Sequence, residues 1–496
     1  MMDLQLPQQS YQSRSKPFSS ERLLNMLFEK VPNGNKFMLI GTPGLKEYYD
    51  LNEPNNSPVL GMIYLADCLI YVTNTGIYVI HRDSIGNISL ITSKPWRDFY
   101  GANATLWPTT RVQMESNGQT VVMLNPNAKK LYYIDLIDSN VTSADSWVIG
   151  ACPVPEGSED AQYIALSYIS GVFVAACQKN DNNSYVQYTE VLGHAMYYEF
   201  QLDTALTNLS ALASNMRELW CFGANTVEVV SPTGQAGNDF FAHIQGAYIN
   251  KGVVCRNSIA VYETAFFFYA SNGDIYAADN YTSLKQISTP ALLDMIKSWG
   301  SLDTQEDRNS VIGQIFTQNG HTYYMLKFKK FGKTIQYDIT TSSWVERETG
   351  DGGEWEGEYV IRRPNGEIIV SSRSTDKLYS MDNDIYTDNG VPICREFVFS
   401  TIKAESKKRI FFYSLTLDVD VGLGPNDKVM LSWSDDGGYT WCAERMLGMG
   451  KIGEYRKKLQ FRRLGSSPLR TFKVRFATAS MVNVLSASIE AEEGLV

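Results

Sequence analysis

Between about residues 56 and 371 the chain repeats one pattern. A short apolar run of period two is followed by a Gly-, Asn- or Pro-rich turn and then by a second such run. The pairs are CLIYV (68–72) with IYVIH (77–81), TVVML (120–124) with LYYID (131–135), VFVAAC (172–177) with YVQYTEV (185–191), and RELWCF (217–222) with TVEVV (226–230). AFFFYA (265–270) with IYAAD (275–279), TYYMLKF (322–328) with TIQYDI (334–339), and EYVI (358–361) with EIIVSS (367–372) complete the series. Alternation gives each strand one buried face, and Gly and Asn supply the positive φ that tight hairpin turns require. The seven turns centre near 75, 127, 181, 224, 272, 331 and 365, a mean spacing of about 48 residues, and propeller blades of four strands repeat at roughly that interval. Isolated hairpins cannot bury their faces, and closing them into a ring removes the exposed edges.

The pattern therefore predicts an all-β chain built on a β-propeller of six or seven blades. Irregular spacing and the lack of a strict blade motif leave two stacked β-sandwiches as the alternative. TTSSWVER (340–347) is similar to the turn and tryptophan of a kelch-type blade, but it occurs once. Two segments carry helical spacing. Ser20–Glu29 has a Ser cap with apolar residues at 23, 24, 27 and 28, and Pro290–Trp299 has Thr289 as cap, Pro at the first position and Gly300 after its end. Residues 1–55 otherwise read as a polar, extended N-terminal arm. From 391 the strands lengthen (RIFFYSLTLDVDV, KVMLSWS, LRTFKVRFAT, VNVLSASIEAE), which suits a C-terminal β-sandwich. The expected domains are 1–55 (arm with short helix), 56–390 (propeller) and 391–496 (sandwich).

Charge changes this picture twice. The chain's 44 basic and 54 acidic residues give −10, which argues against a duplex-DNA binder held by a uniformly basic face. The balance is uneven, however: residues 391–496 hold 16 basic and 12 acidic residues, net +4, and residues 1–390 hold 28 and 42, net −14. The strongest basic run comprises Lys451, Arg456, Lys457, Lys458, Arg462, Arg463, Arg470, Lys473 and Arg475, with Glu454 as its single acid. A solvated face, a contact for an acidic protein, and a lining for nucleic-acid phosphates all fit such a run. No aromatic interleaving of the kind that stacks single-stranded bases is evident in it.

Candidate chemistry is sparse. The seven cysteines include no CxxC pair, and the chain has four histidines, so structural zinc is unsupported and reduced core thiols of a cytoplasmically made protein are expected. No GxGxxG or GKS/T loop occurs. Asp351, Glu354, Glu356 and Glu358, and separately Asp382, Asp384 and Asp388, are acidic clusters. Tyr386 sits where an EF-hand needs a ligand, so solvated loops are expected in place of a calcium site. His321 lies on a strand with no nucleophile motif beside it and reads as a structural histidine. Ser434, Asp436, Gly438 and Trp441 fit the S-x-D-x-G-x-x-W Asp box, a hairpin turn in which the Asp accepts backbone N–H bonds. It reads as structural. No catalytic residue, metal site or cofactor is assigned. The N-terminus lacks the apolar core of a secretion signal, and no stretch is apolar enough to span a bilayer.

Four stretches together carry a resemblance. They are SYQSRSKPFSSERLLNMLFEKV…GTPGLKEY, RELWCFGANTVEVVSPTGQAGNDFF…GAYINKGVV, ISTPALLDMIKSW followed by GHTYYMLKF…KTIQYDITTSSWVER, and VMLSWSDDGGYTW…YRKKLQFRRLGSSPLRTFKVRF. In this order they resemble the packaged-DNA stabilisation, or tail hub (nozzle), proteins of short-tailed bacteriophages. KKFGK stands where a Pro-containing turn is expected, and two Met residues begin the chain, so the sub-family stays open. The resemblance implies a structural virion protein without enzymatic activity, made in the bacterial host cytoplasm. It implies a six-fold ring of identical copies below the portal and adaptor rings, which retains packaged double-stranded DNA without sequence-specific binding. Its implied partners are those rings, tailspikes or fibres, and a needle or plug. A propeller glycosidase, or a glycan-binding adhesin of the host surface, is the alternative.

Overall fold

The computed structural model describes residues 2–30, 37–51, 56–83, 86–179, 184–202, 209–350, 352–404 and 408–494. Asp351 and residues 180–183 of the third hairpin turn lie outside them. The first five hairpins each fall in a separate four-stranded antiparallel sheet, and the sixth and seventh fall in four-stranded antiparallel units joined, through Ser20–Leu24 and Val391–Val398, into one larger sheet. The first sheet runs Gly61–Leu65, Cys68–Val72, Gly76–Arg82, Ile88–Pro95; the second, Gln113–Ser116 through Trp147–Ala151; the third, Gln162–Ile169 through Met196–Gln201. The fourth spans Leu209–Ser214 to Phe241–Ile249, the fifth Ala260–Tyr262 to Ser283–Gln286, and the sixth Val311–Gln318 to Ser343–Arg347.

The seventh differs. Gly357–Arg362, Ile368–Ser372 and Lys377–Asp382 supply three strands, and the fourth is Gly44–Asp50, paired antiparallel to Lys377–Asp382. The recognised hairpin here is the innermost pair of strands, whereas in the other blades it is the middle pair.

Apolar packing shows that the ring is closed. Each strand's two faces meet the neighbouring blades, so the core is divided among successive blade pairs. One cluster joins Ile70 and Trp96 to Met123 and Trp147 of the second blade, and another joins Leu45, Tyr323 and Met325 to Trp355 and Val370 across the sixth and seventh. The last joins Leu69 and Tyr71 of the first blade to Ile369 and Leu378 of the seventh. Two buried tryptophans are satisfied as they pack: Trp96 Nε1 donates to Thr73 O at 3.0 Å and Trp344 Nε1 to Ile287 O at 2.8 Å. Pro290–Trp299 is the predicted helix, its Thr289 hydroxyl accepting from Leu292 N–H, and it buries Leu292 and Ile296 between the fifth and sixth blades.

The C-terminal unit is a sandwich of two sheets. One runs Met26–Lys30, Phe37–Gly41, Asn483–Glu493, Ile410–Val419, Leu459–Ser467. In the other, Ser20–Leu24 is followed by Val391–Val398, Leu469–Thr478, Lys428–Ser434 and Arg445–Gly448. Phe412, Leu415, Phe472, Val474, Phe476 and Ile489 fill the space between them.

The helix expected over Ser20–Glu29 does not form. The segment is two strands, Ser20–Leu24 and Met26–Lys30, broken at Asn25, whose φ is +52°. The Asn25 side chain donates to Glu348 O at 2.9 Å and Cys394 O at 2.8 Å and accepts from Glu348 N at 3.0 Å, fixing the left-handed turn that Asn tolerates. The helical spacing of Leu23, Leu24, Leu27 and Phe28 lost to strand pairing: Ser20–Leu24 pairs with Val391–Val398 and Met26–Lys30 with Phe37–Gly41, which buries Leu23, Leu24, Met26 and Phe28 in extended form. The described residues between 2 and 50 are thus largely extended, and their strands pair with other strands of the same chain. Met2–Leu4 joins Asn483–Glu493, and Ser20–Leu24 bridges the sixth blade, in parallel at Glu346, to the sandwich.

Candidate functional site

Arg22 marks the junction where the propeller's sixth blade, the N-terminal segment and the sandwich meet. Its guanidinium touches Glu346 of Ser343–Arg347 at 2.7 Å, Glu396 of Val391–Val398 at 3.1 Å, and Glu348, just past the end of the first of these strands, at 3.7 Å. Burial alone would lower its pKa. Glu346 first, then Glu396 and Glu348, more than reverse this and hold the charge above the usual arginine range.

The innermost strands enclose an axial cavity of about 430 Å³. Arg111 reaches across it to Asn257 O at 2.9 Å and Gly313 O at 3.3 Å, and Arg256 reaches Ile164 O at 3.4 Å. A duplex whose major groove alone is about 12 Å wide cannot thread a bore that one side chain spans. Glu115 lines the same cavity, where burial, opposed by Arg111, pushes its carboxyl up to about 7. A carboxyl with a raised folded-state pKa leaves stability intact below its unfolded value and costs more as pH rises toward 7. Glu115→Gln is therefore expected to be near neutral at pH 5 and stabilising by about 1–2 kcal/mol at pH 8. The full shift at 1.36 kcal/mol per pKa unit is discounted because the side chain still faces cavity solvent. Thermal midpoints at the two pH values check this.

The nine cations of the sandwich separate into two groups. Lys451, Arg456, Lys457, Lys458, Arg462 and Arg463 are exposed. Ile452 (67%) and Tyr455 (68%) stand exposed among them, so an aromatic does interleave the run. Arg470 is different. It is buried, makes a bidentate pair with Asp435 (Nε–Oδ1 2.6 Å, Nη2–Oδ2 2.8 Å), and lies over the rings of Phe412 and Trp433. Arg475 pairs with Glu444 at 2.7 Å, and Lys473 lies over Trp441 and 4.0 Å from Glu396. These three are structural in their contacts and leave six cations open to a partner.

In the turn from Ser434 to Trp441, Asp436 accepts from Tyr439 N at 2.9 Å, Thr440 N at 3.0 Å and the Thr440 and Ser434 hydroxyls at 2.6 Å. Those bonds, chiefly the hydroxyl ones, hold its carboxyl well below the usual range. Gly438 adopts φ +102°, and a Cβ there would meet Ser20 Oγ at 2.6 Å, so the turn is seated on the N-terminal segment. A carboxylate so saturated has no capacity left for general acid–base work.

The glutamates of the first acidic cluster are paired and not a solvated loop, whereas the second cluster is exposed in part. Glu358 is buried against Lys327 (2.8 Å) and Lys329 (2.7 Å), Glu354 meets Lys327 and Arg373, and Glu356 meets Arg373. Asp388 is buried, while Asp382 and Asp384 are exposed. Among the described residues no group of three or more His, Cys, Asp or Glu side chains is placed to hold a metal ion. His321 Nδ1 meets Asp338 Oδ2 at 2.8 Å, and that bond raises its pKa. No helix among the described residues is long and apolar enough to cross a membrane.

Comparison with known families decides the identity. Residues 111–386 match the family described as bacteriophage P22 Gp10, beta-propeller, and residues 395–492 match bacteriophage P22 Gp10, beta-sandwich. The chain belongs to the bacteriophage P22 Gp10 family. This is the tail hub, or nozzle, family that the four sequence stretches resemble, and its members are structural tail proteins of the virion. No curated protein matches the chain. Solved structures similar to this Gp10-family chain include the mitotic checkpoint complex, at 11% identity over 71% of this chain and 95% of that one, TM-score 0.39. Sqt1 of Saccharomyces cerevisiae gives 9% over 68% and 98%, TM-score 0.38, and human WBSCR16 gives 11% over 51% and 76%, TM-score 0.32. At these scores the likenesses carry no functional argument.

Proposed function

We propose that this Gp10-family chain is a non-enzymatic hub of a short-tailed phage. Its copies form a ring below the portal and adaptor, retain packaged DNA, and carry tailspikes or fibres and a needle or plug. The observation that carries the reading is that both family matches occur in one chain and in order, the acidic propeller followed by the basic sandwich. The axial cavity supports placing any DNA passage between copies and not through a propeller. An acidic wall there repels phosphates and favours rapid exit. The six exposed cations on the sandwich then serve to dock an acidic protein surface, since electrostatic complementarity sets encounter rate and register.

The test mixes purified protein with portal–adaptor complexes and images them. The wild-type chain is expected to add as a ring, yet to form no stable complex with free duplex at ~150 mM salt. Charge reversal at Lys451, Arg456, Lys457 and Lys458 is expected to slow addition tenfold or more while leaving the thermal midpoint within about 1 °C, because exposed charges contribute little to stability. Tight sequence-independent DNA binding, or turnover of a polysaccharide by the purified chain, would overturn the proposal.

A further inference from the structure

Two arginines with too few acceptors are enclosed where the seventh blade closes against the sandwich. Arg395 is fully buried and Arg347 is 3% exposed. Both converge on the segment that leads into the ring-closing strand. Arg395 Nη2 donates to Thr42 O at 3.0 Å and Arg347 Nη2 to Pro43 O at 3.5 Å. A Cβ on Gly41 would fall 2.3 Å from Arg395 Nε, so the guanidinium occupies the space that this glycine leaves. Arg347 Nε, Arg395 Nε and Arg395 Nη1 have no hydrogen-bond partner, and neither do Asp388 Oδ1 and Thr42 Oγ1.

Asp388 is the nearest countercharge, but it does not pair directly. It is held by the backbone N–H groups of Gly350 and Leu45, and no ion pair within 4.0 Å joins it to either guanidinium among the described residues. Tyr323, Tyr386 and Cys394, the other titratable groups beside the arginines, are neutral at physiological pH, since burial raises all three. Two positive charges therefore face at most one negative charge, with three N–H donors unmet. Water can accept from those donors but cannot cancel the remaining charge, and an uncompensated buried charge is among the costliest features a fold can carry.

We infer that Arg347 and Arg395 hold a monatomic inorganic anion of the chloride class, which completes the junction between the ring-closing segment and the sandwich. The anion accepts the free guanidinium N–H groups, and Asp388 sets the net charge to near zero. Burial depresses both arginines to about 10 despite Asp388, as expected of guanidiniums short of countercharge.

Crystals of the full chain grown in sodium bromide test this by anomalous diffraction at the bromine edge. Thermal midpoints are measured in parallel in chloride and in gluconate at constant ionic strength. The expected result is a bromide peak within hydrogen-bonding distance of both guanidiniums. The midpoint should rise about 1 °C per tenfold increase in chloride once the site fills, and not in gluconate. Arg395→Met should abolish that dependence. Asp388→Asn, nearly isosteric and so usable if Arg395→Met does not fold, should carry the rise down to lower chloride concentrations by removing the competing negative charge. Water in place of bromide, a midpoint indifferent to the identity of the anion, or a rise that begins at the same chloride concentration in Asp388→Asn would each overturn the inference.

Discussion

Arg22→Met is expected to destabilise the chain by about 3–5 kcal/mol, the cost of leaving buried carboxylates without their cation. Glu346, Glu348 and Glu396 are each between 10% and 12% exposed and converge on that guanidinium. Lys333 at 3.2 Å from Glu348 and Lys473 at 4.0 Å from Glu396 compensate only in part. The loss should have a particular form. Arg22 sits on the strand that pairs both the sixth blade and Val391–Val398, so its removal weakens the seam more than either core. Differential scanning calorimetry should show one transition in the wild type dividing into two as propeller and sandwich unfold separately. Adding Glu346→Gln should recover part of the loss, because the strongest repulsion then disappears. A single unshifted transition in Arg22→Met would mean that the seam is held by backbone pairing alone.

Lys327→Met is expected to cost a similar 3–5 kcal/mol, with a distinctive pH profile. Lys327 is fully buried. It donates to Trp355 O at 3.1 Å and Gly357 O at 2.9 Å while meeting Glu358 and Glu354. Burial pushes Glu358 up, but Lys327 and then Lys329 more than reverse it, so its carboxyl titrates below the ordinary value. In the wild type this contributes stability that is present above the unfolded carboxylate pKa and lost as pH falls through the folded one. Without Lys327 the burial effect dominates, and stability falls as pH rises above the carboxylate range. The gap between variant and wild type should therefore widen from pH 4 to pH 7, and chemical denaturation at both values checks the sign. Glu358→Gln in the same chain should narrow it.

The middle hairpins were readable because their strands alternate strictly and their turns need Gly or Asn. The flanking strands were less so. Ala260–Tyr262 has three half-buried residues, and Ile88–Pro95 has no fully buried position and a register shift near Leu90, so neither presents a clean period. Ser20–Leu24 and Gly44–Asp50 could not be placed from local pattern, because each pairs with residues more than 300 positions away. The basic run was visible as charge, but its division was not: Arg470 is taken by Asp435 and two aromatic rings, and nothing in the spacing tells it from Arg463. The buried charges do carry a signal in the sequence. Lys327 shares a strand face with Tyr323 and Met325, and Arg395 shares one with Ile393 and Phe397, all buried. A single cation on an otherwise apolar face points to an enclosed polar partner.

The ring-closing strand Gly44–Asp50 also sets an order of events. Its partner Lys377–Asp382 is synthesised some 330 residues later, so the ring stays open while six blades emerge. At about 5–20 residues per second, that strand waits on the order of 15–60 s with an unsatisfied edge. Such an edge recruits any available strand, including the same segment of a neighbouring nascent chain. Yield in the host should therefore depend on how quickly the ribosome reaches residue 382, and on chaperones that shelter the first 50 residues until it does.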